Sequence, residues 1–266
     1  MIVFITGISS GFGLETARLL SQEGHTVYGT VRRAVEPLPQ VHYLQVDVRD
    51  REAVMQAVSE VVEKEGHIDV LVNNAGMGIG GPLEFATEEE IRLQMDTNFM
   101  GLVHCVDAVL PHMRKQGSGK IIALSSIGGL MGLPFQGFYS ASKFAIEGYC
   151  EALRLEVKQQ GIKVVVLRPG DFATGFTGSR KKVADEAALQ AYPIYKTAIE
   201  KVEHDENGGL QPVVLARKIS QIIRKKNPRN GYVVASFEQR LSVLLKRLLP
   251  AKGFARVLEA YYLRSK

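Results

Sequence analysis

Ile2-Val3-Phe4-Ile5-Thr6-Gly7-Ile8-Ser9-Ser10-Gly11-Phe12-Gly13 opens with an unbroken apolar run, continues into a glycine-rich turn and ends where a helical pattern begins. Four apolar residues without alternation read as a strand covered on both faces. The turn calls for glycine on two counts. A tight turn needs positive φ, and a ligand must approach the backbone closely. Ala17 and Leu20 then give Leu14–Glu23 helical spacing, with a stop at Gly24. The first turn of that helix offers free N–H groups and a partial positive charge, which together suit a pyrophosphate. The spacing Gly7-x-x-x-Gly11-x-Gly13 differs from the commoner Gly-x-Gly-x-x-Gly. Gly7, Ser9, Ser10, Gly11, Phe12 and Gly13 are therefore the predicted phosphate-side contacts.

Outward from this turn, short β-branched runs alternate with helical patterns. His25–Val31, Val41–Val46, Val70–Val72, Lys120–Leu124 and Lys163–Leu167 read as further strands. Asp50 caps a predicted helix stopped by Gly66, and Thr87 to Glu90 forms a capping box. A long helical pattern runs from Tyr139 to Lys158. This alternation predicts an α/β, Rossmann-type doubly wound parallel sheet of about seven strands, with ligands at the carboxyl edge of the strands. No linker, repeat or low-complexity stretch divides the chain, so residues 1–266 are expected to be one domain. The segment from Asp171 to Leu210 breaks the alternation and is predicted to be a helical lid over the ligand edge. The tail 237–266 is amphipathic, with Leu241, Leu244, Leu245, Leu248 and Leu249 expected on one face. Docking onto the domain or a partner subunit is the favoured role for it, and membrane-surface contact is the alternative.

Composition is that of an ordinary globular protein: 266 residues, 45% hydrophobic and 23% charged. The formal net charge of +5 comes largely from the second half, through Arg180-Lys181-Lys182, Arg224-Lys225-Lys226 and Lys246-Arg247. No helix interleaves basic and aromatic residues, so nucleic-acid binding is not expected. Cys105 and Cys150 lack metal-ligand spacing and read as buried thiols, and no metal is expected. Apolar residues begin at Ile2 and the glycine turn follows, which leaves no leader pattern; a cytoplasmic location is the expectation.

The second strand ends Tyr28-Gly29-Thr30-Val31-Arg32-Arg33, without the carboxylate that holds a ribose 2′-hydroxyl in NAD enzymes. Arg32, helped by Ser10, suits a 2′-phosphate, so NADP(H) is the predicted cofactor and NAD(H) the alternative. Tyr139 and Lys143 stand four apart on one helical face. A tyrosine can give a proton to a carbonyl or take one from an alcohol, and a nearby ammonium is expected to lower its pKa. The spacing alone is weak, since Tyr192/Lys196 and Tyr262/Lys266 share it. Pro193 removes Tyr192 from helical geometry, and Lys266 ends the chain given. Ser126, thirteen residues before Tyr139, directly follows an apolar strand, whereas Ser179, in the same relation to Tyr192, does not.

On these motifs the chain resembles the short-chain dehydrogenase/reductase family up to about Thr174, with hydroxysteroid and retinol dehydrogenase-like members the most similar. The resemblance implies that Asp47-Val48 contacts the adenine and that Asn74, Ala75 and Gly76, within an NNAG motif, line the cofactor cleft. It implies that Pro169, Gly170, Phe172 and Thr174 lie beside the nicotinamide. It makes Asn98, Ser126, Tyr139 and Lys143 a catalytic tetrad, with Asn98 holding a water for proton relay to Lys143. A homodimer or homotetramer through the helices after Asn98 and around Tyr139 is also implied, with Phe144, Leu153 and Val157 as its apolar face. The expected reaction is hydride transfer between NADP(H) and a carbonyl/secondary alcohol pair. Phe172, Phe176, Tyr192 and Tyr195 favour an apolar or ring-bearing substrate. The rivals are a 3-oxoacyl thioester reductase, suggested by Arg180-Lys181-Lys182, and a catalytically silent NADP-binding or redox-sensing protein.

Overall fold

Val3 and Phe4 are adjacent and both fully buried, yet they belong to different hydrophobic clusters. A strand covered on both faces produces this, since successive side chains leave it on opposite sides. The computed structural model describes residues 1–183 and 186–263. Its strands are β1 (Ile2–Ile5), β2 (Thr26–Val31), β3 (Val41–Gln45), β4 (Val70–Asn73), β5 (Ile79–Gly80), β6 (Gly119–Leu124), β7 (Ile162–Pro169), β8 (Lys181–Lys182) and β9 (Gly231–Val234). Its helices are α1 (Gly11–Gln22), α2 (Arg51–Glu65), α3 (Glu88–Met95), α4 (Gly101–Gln116), α5 (Gly137–Glu156), α6 (Phe176–Ser179), α7 (Glu186–Ala191), α8 (Ile194–Asn207), α9 (Pro212–Arg224), α10 (Phe237–Leu248) and α11 (Ala251–Tyr262).

Seven parallel strands form one sheet in the order β3-β2-β1-β4-β6-β7-β9. Phe4, Leu71, Ile121 and Val164 point into the core beneath α2, α4 and α5. Val3, Val72, Ile122 and Val165 point the other way, with Ala17 and Leu20 of α1 and Ile219 of α9. The strand order reverses between β1 and β4, so a crevice opens there at the carboxyl ends.

Caps follow the residues expected of them. Asp50 accepts a hydrogen bond from the Ala53 N–H, and Gly66 ends α2 at φ 82°. Thr87 and Glu90 form a reciprocal capping box on α3. α1 begins at Gly11, earlier than its apolar spacing suggests, because the glycine turn itself winds into the first helical turn.

Two expectations are corrected. The tail forms two helices, since Pro250 cannot continue α10 and Leu249 before it is extended. Its leucines also divide, with Leu245 and Leu249 packed inward and Leu241, Leu244 and Leu248 exposed. On α5, Leu153 and Val157 belong to the core and only Phe144 of that set is exposed, since the helix buries the face toward the sheet.

Residues 171–210 leave the sheet and return. The excursion is pinned at its base, where Leu210 N–H donates to Asp171 O and Ala173 N–H to Leu210 O, each at 3.0 Å. A small parallel pair, β5 with β8, fastens it to the loop after β4.

Candidate active site

The glycine turn is held by cross-ties to β2 and β4. The Asn74 amide donates to Thr6 O and Gly7 O, both at 2.8 Å. Thr6 Oγ1 accepts from the N–H groups of Asn74 and Ala75, both at 2.9 Å. Thr30 Oγ1 accepts the Gly7 N–H at 3.1 Å. Gly7 has φ +72°, and a Cβ on Gly13 would lie 2.1 Å from Gly7 O. Neither conformation nor space admits a side chain at these two positions. Thr6 and Thr30 were not among the expected site residues. Their signal was a polar residue at the inner end of an apolar strand, beside the turn.

A cavity of about 290 Å³ opens at the carboxyl ends of β1, β4, β6 and β7. Gly7, Ser9, Ser10, Gly11, Phe12 and Arg32 line one end. Asn74, Gly76, Ser126, Tyr139 and Lys143 line its floor, and Pro169, Gly170, Phe172 and Thr174 its far wall. Gly13, Asp47, Val48, Ala75 and Asn98 do not line the cavity. Asp47 accepts from Arg49 Nη2 at 2.6 Å, and this guanidinium holds its carboxyl below the usual range. Val48 is buried, its carbonyl 3.0 Å from His104 Nδ1.

Ser126 follows β6, and its Oγ accepts the Gly128 N–H at 3.0 Å. The same hydroxyl acts to lower the pKa of the Tyr139 phenol. Lys143 Nζ donates to Leu124 O at 2.8 Å and lies 5.7 Å from the centre of the Tyr139 ring. The expectation that the lysine lowers the tyrosine pKa is corrected. Burial pushes the phenol up to about 12, against the opposing pull of Ser126. Burial also brings Lys143 down to about 8. Tyr139 thus keeps its proton at neutral pH.

Asn98 lies on a π-helical turn, Asp96–Met100, between α3 and α4. Its Oδ1 accepts the Met77 N–H at 2.8 Å, and its Nδ2 donates to Met77 O at 3.0 Å and Ser142 Oγ at 3.1 Å. Ser142 in turn donates to Tyr139 O at 2.7 Å. Asn98 therefore ties the loop after β4 to the helix carrying Tyr139, without a hydrogen bond to Lys143 itself. The two side chains converge at Gly76, where a Cβ would lie 3.4 Å from Asn98 Oδ1 and 3.7 Å from Lys143 Nζ.

Tyr192 stands between α7 and α8 and donates to Glu84 at 2.7 Å, well away from this floor. Tyr195 donates to Gly80 O at 3.1 Å. Neither lines the cavity. Phe172 and Phe176 do line it, the latter 5.8 Å from the Tyr139 ring. Lys266 lies outside the described residues, but Tyr262 on α11 reaches the cavity wall.

The outer cavity is acidic, through Asp171, Asp205 and Glu206. Glu206 accepts from Thr177 Oγ1 at 2.7 Å and pairs with the fully covered side chain of Arg180. Burial, reinforced by Glu206 and Asp205, raises Asp171 to about 7. The run Arg180-Lys181-Lys182 is not a free basic patch. Lys181 pairs with Glu90 at 3.1 Å and Lys182 with Glu203 at 2.6 Å.

Residues 1–185 match the family model described as short chain dehydrogenase. The chain is 48% identical to a 3-ketodihydrosphingosine reductase of Bacteroides thetaiotaomicron, over 98% of this chain and 97% of that one. It is 39% identical to human 17-beta-hydroxysteroid dehydrogenase type 1, over 95% of this chain and 82% of that one. Among solved structures, a short-chain dehydrogenase from Streptomyces avermitilis superposes with a TM-score of 0.80 at 28% identity, covering 97% and 95% of the two chains. Similar folds have been solved with NAD and with NADP bound. A parallel sheet with its crevice at the β1/β4 reversal, a glycine turn and a Ser-Tyr-Lys floor accord with these matches, and the chain is a member of the short-chain dehydrogenase family, an oxidoreductase of carbonyl/alcohol pairs.

Proposed function

We propose that the protein is an NADP(H)-dependent carbonyl reductase, with Tyr139 as the proton donor and an apolar, amine-bearing ketone as its substrate. The observation that carries this reading is that Ser126, Tyr139 and Lys143 share one cavity with the glycine turn. The cradle fits a dinucleotide. α1 has no side-chain cap and no acidic residue in its first turn, so its N–H groups and dipole are free for a phosphate. Arg32 is exposed on the rim, where a 2′-phosphate would sit. When bound, the nicotinamide supplies the hydride. Tyr139 donates its phenolic proton to the carbonyl oxygen, Ser126 hydrogen-bonds that oxygen, and Lys143 holds the ribose side of the site. Asn98 fixes the loop and helix that frame this floor, and proton relay from Lys143 through a water it holds is part of the proposal.

Support for the substrate class comes from the outer cavity. A 3-ketodihydrosphingosine carries an ammonium one carbon from its ketone, on a long alkyl chain. Asp171, which forms no ion pair among the described residues, suits the ammonium, while Leu133, Phe172, Phe176 and Val202 suit the chain. The run at 180–182 offers the phosphate of an acyl carrier no free cations, since it is spent on carboxylates. A dimer or tetramer through α4 and α5 belongs to the same proposal: Phe144 and Leu155 are exposed and eleven residues apart, three helical turns, on one side of α5.

The test is NADPH oxidation with 3-ketodihydrosphingosine, a steroid ketone and a 3-oxoacyl thioester, each repeated with NADH. The expected result is the highest kcat/KM for the amino ketone with NADPH. Preference for the thioester would overturn the substrate assignment. Equal kcat/KM with NADH would overturn the cofactor assignment alone.

A further inference from the structure

Phe237, Leu241, Leu244 and Leu248 lie at i, i+4, i+7 and i+11 of α10, one stripe along the helix. All four are exposed, Phe237 to 70% and Leu248 to 69%. The opposite side of the hairpin is satisfied: Val243, Leu245, Leu249 and Phe254 pack with Ile127 and Met131. The stripe is therefore apolar surface left over after the fold has closed.

The same segment holds the protein's charge. Residues 237–266 contain seven Lys or Arg and two Glu, which equals the whole formal net charge of +5. The remaining 236 residues balance to zero. Arg240, Lys246, Arg247, Lys252 and Arg256 are exposed, and none forms an ion pair among the described residues.

The hairpin also touches the cavity. Gln239, two residues from Phe237, accepts the Asp171 N–H at 3.2 Å, and Tyr262 at the end of α11 lines the cavity wall.

From these observations we infer that the α10–α11 hairpin docks on an anionic lipid bilayer and seats the mouth of the cavity at the lipid surface. An apolar stripe rimmed by unpaired cations is the pattern that binds in the interfacial plane of such a membrane. A second copy of the chain fits this face less well. Two-fold contact sets the same patch against itself, and here it would bring two like-charged hairpins together. An apolar ketone delivered from the bilayer would then enter without crossing water.

The test is co-sedimentation of the full chain with phosphatidylcholine vesicles, with or without about one-third phosphatidylglycerol. The expected result is binding to the anionic vesicles, weak binding to phosphatidylcholine alone, and loss of binding as salt rises. The double variant L244D/L248D should bind anionic vesicles at least about tenfold more weakly while reducing a water-soluble ketone at the wild-type rate. Three outcomes overturn the inference: no binding of the wild type, undiminished binding of the variant, or a variant that changes the oligomeric state by size-exclusion chromatography in place of vesicle binding. Vesicle binding is read without turnover, so its failure would leave the reductase reading intact, and failure of that reading would leave this one intact.

Discussion

Burial of the Tyr139 phenol outweighs the groups that favour the phenolate and raises it to about 12. In the proposed role of proton donor, this sets the direction of its chemistry. Ketone reduction needs the phenol and alcohol oxidation needs the phenolate, so with a phenol near 12 the two directions must respond differently to pH. Oxidative kcat/KM should climb by up to about tenfold per pH unit between about pH 6 and 9, while reductive kcat/KM does not climb. Parallel pH slopes in the two directions would remove Tyr139 from the proton transfer. Tyr139→Phe should bind NADPH as the wild type does, followed by NADPH fluorescence, and lose about a thousandfold or more in turnover. At Gly13 the constraint is steric. Gly13→Ala places a methyl group 2.1 Å from Gly7 O and 2.5 Å from Asn74 Nδ2. The turn must shift to admit it. The expected cost is about 1–3 kcal/mol in unfolding, with a marked loss of NADPH affinity by titration.

Among the elements, α3 and the π-helical turn after it carry Asn98 into the framework of the site. Such π turns interrupt helices at functional positions, and here the turn directs Asn98 toward Met77 and Ser142. The capping box of α3 anchors its start. Thr87→Ala should cost about 1 kcal/mol, a fall of roughly 2–4 °C in Tm for a domain of this size. Its effect on KM for NADPH should be slight, because the cap lies about three helical turns from Asn98. A large change in KM with unchanged Tm would contradict that separation. The β5–β8 pair does comparable work for the 171–210 excursion. It is two residues long on each side and shows no alternation. Only the meeting of two distant loops creates it, so no pattern in either loop announces it.

At the scale of the molecule, charge is divided. Arg32 stands at the glycine-turn end of the cavity, Lys143 on its floor, Asp171, Asp205 and Glu206 at the outer end, and the net positive charge on the α10–α11 hairpin. A ligand that binds only the folded state stabilises it by about 2.7 kcal/mol at a hundred times its Kd. At equal concentration NADPH should therefore raise Tm more than NADH, and Arg32→Ala should close most of the gap. Equal shifts for the two cofactors in the wild type would argue that Arg32 reads no phosphate. No helix among the described residues is long and apolar enough to cross a membrane.

Sequence alone determined what local chemistry enforces: the buried strand, the glycine turn, the Asp50 and Thr87 caps, and the serine, tyrosine and lysine of the floor. Each is a short-range demand for a backbone angle, a capped N–H or a shared helical face. Tertiary structure decided whatever depends on residues far apart in the chain. Packing sent Leu153 and Val157 into the core while leaving Phe144 outside. Burial reversed the expected shift of Tyr139, and desolvation cannot be read from spacing. Tyr262, unpromising beside a lysine at the end of the chain, returned to the cavity wall because α11 folds back across the mouth. The leucines of α10 formed one face in sequence and two in the fold, since only the domain they pack against determines which of them stays in water.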